Sequence, residues 1–169
     1  MNIEEALLKA IEFENGVYAV YGEALENATN PVAIKIYEMM QEEEEGHIAY
    51  LESKLETWRA NKVLEGGDLD TEIPDVSNEQ ILTKGLPQGE DHLDPSSELG
   101  VLARVYKAES ETTKFYVDMV DQLPKEGQAF FQQFVTIEQG HLKLVAAEID
   151  AVRGMGRWFD MDEFKLENA

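Results

Sequence analysis

The sequence predicts an all-α fold, an antiparallel four-helix bundle made of two helical hairpins joined by one long crossover. Three observations predict it. Four segments carry apolar residues at helical spacing, two of the breaks between them are short, and a glutamate interrupts each apolar stripe near its middle. At 169 residues the chain is long enough for one domain with a sizeable core, spanning 1–169. Its expected parts are hairpins at 3–62 and 97–153, a crossover at 63–96 and a tail at 154–169.

The first helix, expected over 3–29, has its stripe at Ile3, Leu7, Ala10, Ile11, Glu14, Val17, Tyr18, Tyr21, Leu25 and Ala28. Asn30-Pro31 interrupts it, as proline does where one helix ends and another begins. The second, over 32–62, runs through Ile36, Tyr37, Met40, Glu44, His47, Ile48, Leu51, Leu55 and Trp58. The third, over 97–122, uses Leu99, Leu102, Val105, Tyr106, Glu109, Thr112, Tyr116 and Met119. Pro124 separates it from the fourth, over 126–153, with Phe131, Phe134, Glu138, His141, Val145, Ile149 and Val152 before Gly154 and Gly156 mark a stop. Between helices two and three, Glu65 to Asp94 holds Gly66-Gly67, Pro74, Pro87 and Gly89, nine acidic residues and a single base, Lys84. That stretch is long enough to run the length of a bundle, and Ser77 to Leu82 is expected to form a short helix within it. In the tail, Trp158, Phe159, Phe164 and Leu166 are expected to pack on an end or side of the bundle.

A glutamate inside an apolar face is costly to bury unless it is paired, hydrogen-bonded or bound to metal. Four of them in one core could not all stay charged without cations. Helices two and four also place a histidine three residues after the glutamate, so both side chains reach one point beside the helix. The heights agree: Glu14 lies 16 residues before Asn30 and Glu44 lies 14 after it, while Glu109 lies 15 before Pro124 and Glu138 lies 14 after it. In antiparallel hairpins equal counts mean equal height. An internal repeat relates the two halves, since Glu109 and Tyr116 follow Glu14 and Tyr21 by 95 residues, and Glu138 and His141 follow Glu44 and His47 by 94. The candidate metal ligands are therefore Glu14, Glu44, His47, Glu109, Glu138 and His141. One Glu from each of two helices plus Glu-x-x-His from each of the others is a ligand set for a di-iron or di-manganese bundle. Tyr21, Tyr116 and Thr112 are candidates for hydrogen bonds to the ligands, and Glu148 is a candidate accessory ligand. Glu12, Glu43, Glu45, Glu111 and His92 read as surface residues.

The motifs that carry this pattern are Ala10-Ile-Glu-Phe-Glu14 with Tyr21, Glu42-Glu-Glu44-Glu-Gly-His47, Lys107-Ala-Glu109 with Tyr116, and Ile137-Glu138-Gln-Gly-His141. Over 3–62 and 97–153 they resemble the rubrerythrin-type members of the ferritin-like superfamily. The resemblance implies two iron ions, with Glu44 and Glu138 bridging and Glu14, Glu109, His47 and His141 terminal. It further implies reduction of hydrogen peroxide or dioxygen. Rubrerythrins proper add a rubredoxin-like domain that holds iron on four cysteines; this chain has no cysteine, so its electrons are expected from an external donor. They also usually carry a glutamate three residues beyond the third-helix ligand, where this chain has Thr112.

Composition narrows the function. The formal net charge of −21 repels phosphate backbones and anionic lipid, so neither nucleic acid nor a membrane surface is an expected partner. The absence of cysteine excludes disulfides, thiolate metal sites and iron–sulfur clusters. Met1-Asn2-Ile3-Glu4-Glu5 lacks the basic-then-apolar build of a signal peptide, and the expected location is the cytoplasm. A di-iron oxidoreductase is the leading reading, and a non-enzymatic iron store or sensor is its alternative. A manganese or mixed pair suits the same oxygen and imidazole donors, and the manganese variant would be a catalase. A tRNA hydroxylase is disfavoured by the charge, and a quinone-precursor hydroxylase by the lack of a basic amphipathic helix. A homodimer is an open assembly state.

Overall fold

The computed structural model describes residues 1–67, 69, 71–73, 93–156, 158 and 161, and among them all regular structure is helical: α1 (Ile3–Asn27), α2 (Pro31–Asn61), α3 (Glu98–Val120) and α4 (Lys125–Met155). Local chemistry sets each boundary. Asn2 caps α1 in a reciprocal box with Glu5, each side chain accepting from the other's backbone N–H. Asn30 caps α2, with Pro31 in the first turn where its missing N–H costs nothing. Ser97 caps α3 by accepting from the Gly100 N–H. The α4 helix continues through Gly154 and stops at Gly156, whose φ of 65° is left-handed.

Helix α1 packs against α2 and α3, and α3 packs against α4. Along the α1–α2 contact, Arg59 meets Glu4 at 2.8 Å, His47 Nδ1 lies 3.3 Å from Glu14, and Gln41 donates to the Tyr18 carbonyl. Phe13 stacks on Phe115 between α1 and α3 with ring centroids 4.1 Å apart. Thr113 of α3 donates to the Glu138 carbonyl of α4 at 3.2 Å.

The buried side chains form two apolar clusters rather than one. The first includes Val17, Tyr21, Ile36, Met40, Leu102, Val105, Leu142 and Val145. The second includes Leu7, Ala10, Leu51, Tyr116, Met119, Phe131 and Phe134. Every helix contributes to both, and Glu14, Glu44, Glu109 and Glu138 fall where membership changes: between Ala10 and Val17, Met40 and Leu51, Tyr106 and Tyr116, Val135 and Leu142. Helices α1 and α4 begin in the second cluster, whereas α2 and α3 end in it. A polar layer thus divides the core. Trp158 is buried against the first cluster, edge-on to Tyr37 at 5.4 Å, which is the packing expected of it. The expected helix at Ser77 to Leu82, the surface placement of His92 and the packing of Phe159, Phe164 and Leu166 lie outside the described residues. No described helix is long and apolar enough to cross a membrane.

Candidate metal centre

Glu14, Glu44, Glu109, Glu138 and His141 are fully buried and His47 is 1% exposed, so all six expected ligands share the polar layer. Their donor atoms fall into two overlapping quartets. Glu14, Glu44, His47 and Glu138 form one, Glu44, Glu109, Glu138 and His141 the other, with one ligand atom per residue and all four within 4.8 Å of one another. Either quartet could hold a metal ion, and Glu44 and Glu138 belong to both. The imidazoles of His47 and His141 lie nearly parallel, 5.5 Å apart. Each turns Nδ1 towards the carboxylates, His47 Nδ1 at 3.3–3.7 Å from Glu14, Glu44 and Glu138, and His141 Nδ1 at 2.9 Å from Glu44.

The donor set fits a cation. Both oxygens of Glu44 and of Glu138, Glu109 Oε2 and His141 Nδ1 are buried with no hydrogen-bond partner. Buried polar atoms are rarely left this way, and each such atom costs about 1–3 kcal/mol when nothing satisfies it. Glu44 Oε1 and His141 Nδ1 approach closely yet lack hydrogen-bond alignment, so the atoms converge on the space between them more than on each other.

Electrostatics give the same result. Burial, reinforced by the charge of Glu44, raises the Glu14 carboxyl to about 8, and burial raises Glu109 to about 7. Burial and then the charges of Glu14 and Glu44 push Glu138 well above the carboxylate range. Glu44 is the exception, because the neighbouring imidazoles outweigh its burial and hold it low. Both histidines are raised well above their ordinary value, since the carboxylates around them outweigh burial.

The tyrosines bond across the halves. Tyr21 of α1 donates to Glu109 of α3, and Tyr116 of α3 donates to Glu14 of α1. Neither serves the glutamate of its own helix, which lies seven residues and about 10.5 Å of rise away. Thr112 is buried one turn after Glu109, but no hydrogen bond joins it to any of the six. It does line a groove of about 860 Å³ between α1 and α3, together with Phe13, Val17, Val20, Ala108 and Phe115. Glu148 is buried and stands in neither quartet.

One expectation is corrected. Glu12, Glu45 and Glu111 are exposed as anticipated, but Glu43 is not a surface residue: its side chain is 8% exposed and its Oε2 lies 3.0 Å from His141 Nε2. Glu43 stands off the α2 stripe, so helical periodicity gave no signal for it. Its hydrogen-bond partners come from α4 and from the segment after α2, and with His47 and His141 it forms a third group of donor atoms within 4.8 Å of one another. No family model, no curated protein and no solved structure matches the chain.

Proposed function

We propose that the chain is a ferritin-like di-iron carboxylate oxidoreductase, of the kind rubrerythrins represent, that reduces hydrogen peroxide or dioxygen with electrons from an external donor. The observation that carries this reading is the pair of buried quartets sharing Glu44 and Glu138. Two quartets with two common carboxylates would hold two ions, with Glu44 and Glu138 available to both. Glu14 and His47 would complete one coordination set, Glu109 and His141 the other. Oxygen and imidazole donors without thiolate suit iron or manganese. The arrangement of two antiparallel hairpins joined by a long crossover is supported by the helix ends, since α1 and α4 begin in the apolar cluster where α2 and α3 finish.

When bound, a ferrous pair would supply two electrons, enough to reduce hydrogen peroxide to water or dioxygen to hydrogen peroxide, with the external donor restoring them. The chain's own groups do the rest. Tyr21 and Tyr116 fix the orientation of Glu109 and Glu14 through the oxygen not offered to the metal. The two apolar clusters exclude water on either side of the polar layer. The groove between α1 and α3 admits a small oxidant as far as Thr112, one turn from Glu109.

The test is peroxide consumption by iron-loaded protein with and without an added one-electron reductant. Turnover should need the reductant and should collapse in His47→Ala and in His141→Ala, while His92→Ala retains it. Steady peroxide loss without reductant would indicate a catalase. Iron uptake with no turnover would indicate a store or sensor, and either result contradicts the proposal.

A further inference from the structure

The repeat that relates α2 to α4 makes Glu44 equivalent to Glu138 and His47 to His141, but it makes Glu43 equivalent to Ile137. That one mismatch changes the surroundings of the two imidazoles. His141 turns Nδ1 to the cluster and Nε2 to Glu43 Oε2 at 3.0 Å. Glu43 is itself held from outside the bundle helices: Thr71 Oγ1 donates to its Oε2 at 2.7 Å and the Glu72 N–H to its Oε1 at 2.6 Å. Ile73, two residues on from Thr71, is 4% exposed in the first apolar cluster and anchors that segment. His47 also has a ring nitrogen within 4.8 Å of Glu43 but makes no hydrogen bond to it. Its Nε2 is buried without a hydrogen-bond partner, and its ring lies edge-on to Phe134 at 5.7 Å.

The two quartets are otherwise alike in ligand type. Each quartet contains Glu44 and Glu138, and each adds one glutamate that accepts from a tyrosine of another helix. What remains unmatched is the carboxylate behind one imidazole. A carboxylate accepting from Nε2–H fixes the tautomer with Nδ1 free for an ion, holds the ring's direction and makes Nδ1 a stronger donor; removing such a partner typically weakens metal binding about 10–100-fold.

We propose that Glu43, clamped by Thr71 and the Glu72 backbone, is a positioning residue that makes the two halves of the centre unequal, so that the Glu44–Glu109–Glu138–His141 quartet takes a divalent cation first and holds it more tightly than the Glu14–Glu44–His47–Glu138 quartet. The inference rests on the two-metal reading above. It gives the segment after α2 a task at the centre, because Thr71 and Glu72 set the position of a group that His141 depends on.

Anaerobic titration with Co(II), followed by its visible absorption and by calorimetry, tests it without any turnover assay. The native protein should take up two equivalents in two resolved steps, about 10–100-fold apart in affinity. His141→Ala should remove the tighter step, and His47→Ala the weaker one. Glu43→Gln should weaken the tighter step by a similar factor, leave the weaker step in place and so draw the two together. Thr71→Val, which leaves Glu43 present but takes one of its donors, should do the same to a smaller extent and serves if Glu43→Gln does not fold. Two equivalents bound in a single unresolved step, or equal weakening of both steps by Glu43→Gln, would overturn the inference alone. Uptake of one equivalent or none by the native protein would overturn the two-metal reading and the inference with it.

Discussion

Glu138→Gln separates what the buried cluster costs from what it binds. In the metal-free protein, burial and then the charges of Glu14 and Glu44 push the Glu138 carboxyl well above the carboxylate range and so favour its neutral form. Glutamine then replaces one neutral group by another of the same shape, and the metal-free stability should change by no more than about 1 kcal/mol. Metal binding responds differently, because Glu138 belongs to both quartets and an amide cannot supply the bridging charge. At a metal concentration about 100 times Kd, each site stabilises the folded state by about 2.7 kcal/mol, so two sites add about 5 kcal/mol. In a chain of 169 residues that should raise Tm by about 10–20 °C, taking about 2–4 °C for each kcal/mol. The assay is thermal unfolding by circular dichroism with chelator and with Mn(II) or anaerobic Fe(II). The native protein should show the full shift and Glu138→Gln little or none, with the two metal-free curves close together. A native Tm that ignores metal, or a variant that keeps the full shift, would refute the reasoning.

Further outcomes follow from the same residues. Metal-free stability should fall as pH rises from about 4.5 to 8, because folded Glu14 (about 8) and Glu109 (about 7) hold protons that the unfolded chain releases, and urea unfolding across that range measures it. Metal binding must displace those protons, so affinity should rise across the same window, and proton release into weak buffer measures it. Tyr21→Phe should cost about 1–2 kcal/mol of metal-free stability by removing the donor to Glu109, and Tyr116→Phe the same at Glu14, both read by denaturant midpoints. Gly100→Ala should destabilise by about 1–3 kcal/mol because its Cβ would collide with the Asp94 carbonyl, whereas Gly46→Ala, with open space around it, should stabilise by about 0.5–1 kcal/mol.

The helices and the burial of the six candidate ligands were legible in the sequence because both obey the same period. A glutamate that holds its place in an apolar stripe must enter the core, and matched distances from Asn30 and Pro124 set the level it enters at. The breaks were legible for the same local reasons that fix the caps at Asn30, Ser97 and Gly156. What periodicity could not convey is which residues meet across helices. Tyr21 and Tyr116 stood on their stripes, yet each bonds the glutamate of the other half, a pairing that depends on how α1 and α3 pack. Glu43 was illegible for a sharper reason. It sits one residue before a ligand and therefore about 100° around the helix from it, in a run of four glutamates that reads as a solvated face. Thr71, Glu72 and His141 approach and cover it, and those contacts span 28, 29 and 98 residues of sequence.

The most direct test of the central claim is diffraction from crystals loaded anaerobically with Fe(II), with anomalous data collected on either side of the iron edge. The account predicts two anomalous peaks per chain, about 3.5–4 Å apart, between Glu44 and Glu138, with His47 Nδ1 beside one and His141 Nδ1 beside the other. A single peak, or iron bound anywhere but within the polar layer that divides the two apolar clusters, would contradict it.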